Sequence, residues 1–256
     1  MLRMPDKSIV LKAHPENELI GVLHMGFNED KNTFTDEFVD SFIVQLQNLQ
    51  TDQKYKVILL TGLSDVFCAG ASKDSLMSLF EGRVQVKDLV LSELILNIPV
   101  PVIAVMEGAA LGGGFVVSLC CDIVLMNEKK MYGANFTSLG FSPGMGATRL
   151  MQAMVGEFIA NEMMYRGRLF KGKSFKGRSL INYILPFKEL MPKALDIAFD
   201  ICEKPRKTLE VLKYSLSLKR RQLLQEARVH EDMMHQITFA QPEVQSIIEK
   251  MYNSNK

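Results

Sequence analysis

Two small-residue turns constrain this chain more than any other feature: Phe67-Cys68-Ala69-Gly70-Ala71 and Gly108-Ala109-Ala110-Leu111-Gly112-Gly113-Gly114. Each follows an apolar, β-branched run, Val57-Ile58-Leu59-Leu60-Thr61 before the first and Val100-Pro101-Val102-Ile103-Ala104-Val105 before the second. A strand running into such a turn lets bare backbone N–H groups approach a ligand, because no Cβ stands in the way. Two turns of this kind facing each other can hold one oxygen between two N–H donors. That arrangement is an oxyanion hole, and it implies an anionic intermediate.

The remaining strands and helices follow from periodicity. Ile9–Leu11 and Leu19–Leu23 read as paired strands around the polar turn His14-Pro15-Glu16-Asn17. Thr35 reads as an N-cap, with Phe38, Phe42, Leu46 and Leu49 following at helical spacing. Helices are predicted over about Ser72–Phe80 and Val86–Leu96, and strands over Val102–Met106 and Asp122–Met126. Gly113–Leu119 reads as a buried helix because Phe115-Val116-Val117-Ser118-Leu119-Cys120 is apolar all round. Ser142–Gly146 is a loop, helices cover about Ala147–Tyr165, and the chain after Pro186 is almost entirely helical to Tyr252. Repeated strand–helix units followed by a helical tail make an α/β chain, and such a tail often packs on a neighbouring subunit.

Composition narrows the function classes. The 256 residues are 47% hydrophobic, enough for one large domain with a sizeable core. The 30 basic and 29 acidic residues nearly cancel, so no global field favours nucleic acid or membrane. There is no twenty-residue apolar run, and Met1–Lys7 lacks a signal-peptide apolar region. Cys68, Cys120, Cys121 and Cys202 show no metal-ligand spacing. The expectation is a cytoplasmic protein with reduced thiols and no bound metal.

In order and spacing, five blocks resemble the crotonase, or enoyl-CoA hydratase/isomerase, superfamily: Phe67–Ala71, Pro101–Ala104, Gly108–Gly114, Cys121–Val124 and Leu139–Leu150. The resemblance spans nearly the whole chain. It implies a ββα spiral over residues 1–186, with a helical region over 187–256 of the same domain serving trimerisation and as an active-site lid. It also implies an acyl thioester whose carbonyl meets the backbone N–H groups of Ala71 and Gly113.

Hydratases of this family move water with two glutamates. Here their positions are Val116 and Phe136, both apolar. A carboxylate base is needed to activate water, so the two apolar residues argue against classical hydration. An intact hole without a base suits a reaction that makes an enolate without abstracting a proton. Loss of carbon dioxide from a substrate carboxylate does this, and only a proton donor is then required.

Further blocks, Ala134-Asn135-Phe136, Gly140–Thr148, Lys204-Pro205-Arg206 and Met233–Phe239, resemble the decarboxylating crotonase homologues of bacterial polyketide β-branching cassettes. That resemblance implies decarboxylation of a 3-methylglutaconyl group on an acyl carrier protein to a 3-methylcrotonyl thioester. No cofactor is implied beyond the carrier's phosphopantetheine arm. His235, followed by Thr238-Phe239, matches the subfamily's C-terminal histidine. An imidazole can grip a carboxylate as a cation or give a proton; a packing role between helices is the alternative. Some members carry a lysine eight residues past the first-turn alanine, where this chain has Leu79. Lys73 is the substitute cation, or else a solvated surface residue.

Other residues remain two-sided. Val116, Phe136 and Met145 can line a dry pocket or simply pack the core, and Asn135 can bind substrate or hold a loop. Gly144 and Gly146 serve backbone conformation near the acyl pocket. Cys68 reads as a small apolar filler rather than a nucleophile. Arg166, Arg168, Lys171, Lys173, Lys176 and Arg178, with Lys204, Arg206, Lys207, Lys219, Arg220 and Arg221, form either a solvated face or a docking surface for an acidic carrier. Two other functions stay open beside decarboxylation: an enoyl thioester isomerase or weak hydratase, and a non-catalytic acyl-thioester binder.

Overall fold

The apolar runs before the two turns become strands buried on both faces, as parallel strands between helical layers must be. The computed structural model describes residues 8–81 and 88–253. In chain order, its first part holds β1 (Ile9–His14), β2 (Asn17–Met25), β3 (Thr33–Phe34), α1 (Asp36–Thr51), β4 (Val57–Thr61), β5 (Val66–Cys68), β6 (Gly70–Ala71), α2 (Lys73–Phe80) and α3 (Asp88–Leu96). The middle holds β7 (Val102–Met106), β8 (Ala109–Leu111), α4 (Gly113–Leu119), β9 (Ile123–Asn127), β10 (Met131–Gly133) and a 3-10 turn over Phe136–Leu139. There follow α5 (Ala147–Val155), α6 (Glu157–Arg166), β11 (Phe170–Lys171), a 3-10 turn over Gly172–Phe175, β12 (Tyr183–Leu185), α7 (Phe187–Cys202), α8 (Arg206–Phe239) and α9 (Glu243–Asn253). The first two residues of the helix expected over Val86–Leu96 lie outside the described residues.

One sheet has the order β1-β2-β4-β7-β9-β12, antiparallel at β1/β2 and parallel from β2 onward. A second has the order β11-β10-β8-β5, and β3 pairs with β6 in parallel. The strand period of two divides the core. Ile58 and Leu60 of β4 face the main core, while Val57 and Leu59 face α7. There Ala194 and Ala198, at helical spacing with Leu190 and Cys202, let α7 lie close on the sheet. α1 follows its sequence signals: Thr35 accepts a bond from the Phe38 amide, and Phe38, Phe42, Leu46 and Leu49 are buried. Short strands β3, β5, β6, β8 and β10 to β12 are additional to those the periodicity predicts, since two or three residues give no readable alternation.

α8 is tied to the sheet by charge. Lys213 and Arg220, both buried, converge on Asp122 at the start of β9, and Arg220 also donates to the carbonyls of Cys120 and Cys121. Burial pushes the Asp122 carboxyl up, but Lys213 and Arg220 outweigh it and hold the group below its usual range. Arg220 is therefore a fold-holding residue and not part of a docking surface. Removing the carboxylate strands two buried cations. Asp122→Ala is expected to lower unfolding free energy by about 3–5 kcal/mol in urea titrations.

Candidate active site

The two turns meet through their strands: β5 pairs with β8 in parallel, Val66 against Ala109 and Cys68 against Ala110, with a register shift between them. Gly70 has φ +80, and a Cβ there would stand 2.5 Å from the Leu111 carbonyl oxygen. A Cβ on Gly114 would stand 2.4 Å from the Cys68 carbonyl oxygen. Only glycine allows this approach. It sets Gly70 beside the Gly113 nitrogen, with Ala71 next in sequence. Gly113 opens α4, so its amide has no acceptor within the helix. Both Ala71 and Gly113 border one narrow cavity.

That cavity brings together most of the residues singled out in the sequence: Ala71, Gly113, Asn135, Phe136, Gly144, Met145 and His235. It does not take in Val116 or Lys73. α4 is buried all round and offers the cavity only its first residues, so Val116 packs in the main core. α2 presents Leu76 and Leu79 to the cavity, and Lys73, at its first turn, stands off the wall. Among the described residues, no lysine lines this cavity in place of Leu79.

The walls are mostly apolar and aromatic. Phe141 stacks on Phe239 with centroids 4.7 Å apart, and Phe136 meets Phe141 edge-on. Among the polar groups, His235 is the best defined. Its Nε2 lies 3.0 Å from the Ser142 carbonyl, which only accepts, so Nε2 carries the hydrogen. Nδ1 is buried with no partner, a lone pair awaiting a donor. Burial pushes the His235 pKa down, while the Ser142 carbonyl and Asp232 pull it partly back. The ring lies over Gly144, where a Cβ would come within 2.8 Å of Cε1. His230 faces a different groove, beside Arg149 and Tyr165.

Two contributors escaped the sequence reading. Tyr252, from α9, borders the cavity and donates from its hydroxyl to the Ala71 carbonyl at 2.8 Å. Glu231 of α8 sits behind the Ser142–Thr148 loop. Neither has a local motif; each is distant in sequence from the residue it serves. Cys68 is the filler expected: its thiol donates to the Asn32 carbonyl, and burial pushes its pKa up to about 12. In the basic run, Arg166 and Arg178 both pair with Glu162, and Lys176 pairs with Glu128. Arg206 is spent on the carbonyls of Asp52 and Tyr55. Among the described residues no cluster of three metal-ligating side chains occurs, and no helix is long and apolar enough to cross a membrane.

Comparison with known proteins gives this geometry its class. The sequence profile of the enoyl-CoA hydratase/isomerase family matches residues 16–254. The chain belongs to that family, the crotonase superfamily. It is 35% identical over 247 residues to the bacillaene synthase decarboxylase PksI of Bacillus subtilis (strain 168), spanning 96% of this chain and 99% of that one. A solved structure from a dehydratase/decarboxylase enzyme couple involved in polyketide β-branching matches with a TM-score of 0.91 and 33% identity, over 95% of this chain and 98% of that one. The ECH2 decarboxylase domain of CurF from Lyngbya majuscula matches with a TM-score of 0.89 and 30% identity, over 96% and 99%. Within the superfamily, the chain stands with the decarboxylating homologues of polyketide β-branching.

The burial of His235 fixes its titration. In NMR of the imidazole nitrogens, with His235→Gln for assignment, its midpoint is expected below the ordinary 6.5. The neutral ring should carry hydrogen on Nε2. The sign for folding follows: the contribution is full above 6.5 and is lost as pH falls through the lowered folded-state value.

Proposed function

We propose that this chain decarboxylates a 3-methylglutaconyl-type thioester carried on the phosphopantetheine arm of an acyl carrier protein, giving a 3-methylcrotonyl-type thioester. The coarser part rests on kinship: the chain is a decarboxylase of the polyketide β-branching kind. The finer part is carried by one observation. A single apolar cavity joins the Ala71 and Gly113 turns to a histidine with an unpaired Nδ1, and the two hydratase base positions are Val116 and Phe136.

The steps follow from that arrangement. The thioester carbonyl accepts from the Ala71 and Gly113 amides. The substrate carboxylate lies toward His235 among Phe136, Phe141 and Phe239. A carboxylate there favours the imidazolium, so binding draws one proton onto Nδ1. Removal from water raises the energy of the carboxylate, and the bond to it breaks with its electron pair passing into the conjugated thioester. The amides meet the charge that develops on oxygen; one such donor is worth about 3–4 kcal/mol. Nδ1 then returns its proton to the carbon that lost carbon dioxide, leaving a neutral ring. Gly144 and Met145 shape the floor, and Asn135 borders the thioester end. Each step uses groups of the chain and substrate, so the reading assigns no metal or resident cofactor, and Lys73 keeps at most a longer-range role.

The partners belong to the same reading. α8 exposes Val211, Leu212, Tyr214 and Leu216, an apolar stretch suited to contacts in a homotrimer. Sedimentation should then give three chains per particle. An acidic carrier protein would dock where basic residues remain outside such pairs, Lys219 among them.

Mass spectrometry of the carrier-bound substrate distinguishes the outcomes. Loss of one carbon dioxide supports the proposal; gain of water or a moved double bond supports an isomerase or hydratase; binding without change supports a non-catalytic binder. His235→Ala is expected to slow release by about 10²–10⁴-fold, and a variant at the wild-type rate removes His235 from the mechanism. Treatment with a chelator should leave the rate unchanged.

A further inference from the structure

We propose that Glu231 is a positioning residue for His235: its buried carboxylate, seated on the first amides of α5, fixes where α8 stands against the Ser142–Thr148 loop and hence where the imidazole sits. The inference rests on the catalytic reading of His235 given above. Glu231 is 0% exposed. Its Oε2 accepts from the Gly146 amide at 2.7 Å. Its Oε1 accepts from the Thr148 amide at 2.9 Å and from the Thr148 hydroxyl at 2.8 Å.

Helical spacing links this seat to the site. Glu231, His235 and Thr238 stand at i, i+4 and i+7 on α8, so all three present to one face. Each grips the same loop. His235 donates to the Ser142 carbonyl, and Thr238 accepts from the Ser142 amide at 3.2 Å. Thr238 is free to accept because its own hydrogen goes to the Met234 carbonyl. Three residues of one helix therefore bind both ends of a loop whose middle, Gly144-Met145, is cavity wall.

The loop between these grips has little slack. Met145 takes φ +65, a conformation side chains rarely adopt, and Gly146 takes φ +87. The Met145 carbonyl accepts from Ser92 of α3, so the turn is pinned from two sides, by α3 and by Glu231. The imidazole lies directly on Gly144. Movement between α8 and the loop would lengthen the bond to Ser142 and shift the imidazole against Gly144. Capping α5 would need only a short polar residue nearby. A carboxylate reaching from one turn before the histidine couples that cap to the imidazole.

The test uses the full chain and two variants, Glu231→Gln and Thr148→Val, with two independent readouts. The first is the His235 titration midpoint and tautomer by NMR, which needs no substrate. The second is kcat and KM with the carrier-bound thioester. In Glu231→Gln one oxygen becomes a donor facing an amide. The expected result is a midpoint moved further below 6.5, because the Ser142 carbonyl that supports the imidazolium is lost, a weakened Nε2–H preference, and kcat lowered about tenfold or more with KM within about threefold. Thr148→Val removes one bond of three and should move the same quantities less, in the same direction. A folded Glu231→Gln with the wild-type midpoint, tautomer and kcat overturns the proposal, even if its melting temperature falls. If Glu231→Gln does not fold, an unchanged midpoint and kcat in Thr148→Val overturns it. If the wild type releases no carbon dioxide, the functional reading fails, and the midpoint and tautomer alone decide the placement of His235.

Discussion

The rest of the molecule depends on one close approach, backbone against backbone, between the turn after β5 and the turn after β8. The Leu111 and Cys68 carbonyls occupy the space where side chains on Gly70 and Gly114 would begin. With any larger residue the two turns would separate, and their amides could not serve one oxygen. The cavity has its roof because the turns touch. Tyr252 reinforces one of them through the Ala71 carbonyl, so α9 closes on the turn after β5. The sheets above and below supply rigidity: every residue of β4 and β7 is buried.

α8 supplies what the turns lack. Its 34 residues carry a markedly polar sequence, yet its buried charges sit at two points only. Near its start Lys213 and Arg220 meet Asp122; near its end Glu231 meets the head of α5. Buried charges are costly unless paired in good geometry, so they fix register in a way apolar contacts do not. Such fixing suits a helix that must deliver a histidine to a cavity built by other elements. In the proposed reaction the chemistry then divides: the turns hold the oxygen, the aromatic walls exclude water, and α8 brings the proton.

In the proposed reading, Val116 and Phe136 stand where a hydratase of the family carries glutamates, and the frame stays the same. Phe136 contributes to the aromatic wall, whereas Val116 withdraws into the core and leaves the wall to its neighbours. A hydratase needs a base held toward water. A decarboxylase needs an anion held away from it. The same scaffold serves either purpose because the hole is made of backbone and is indifferent to the side chains around it.

The sequence by itself determined the local elements and the class. Apolar runs, the Thr35 cap and the small-residue turns are written in neighbouring residues, and their physics is local: strand burial, capping and freedom from Cβ. The apolar Val116 and Phe136 counted against a hydratase before any fold was known. Only the tertiary structure decided which candidates share a cavity. It admitted His235, Asn135 and Met145, left Lys73 and Val116 outside, added Tyr252 to the wall and set Glu231 behind the loop. The reason is distance along the chain. Whether a side chain reaches a cavity depends on the rotation and register of whole helices. Those are set by contacts such as Asp122 with Arg220 or Glu231 with Gly146, between residues 98 and 85 positions apart.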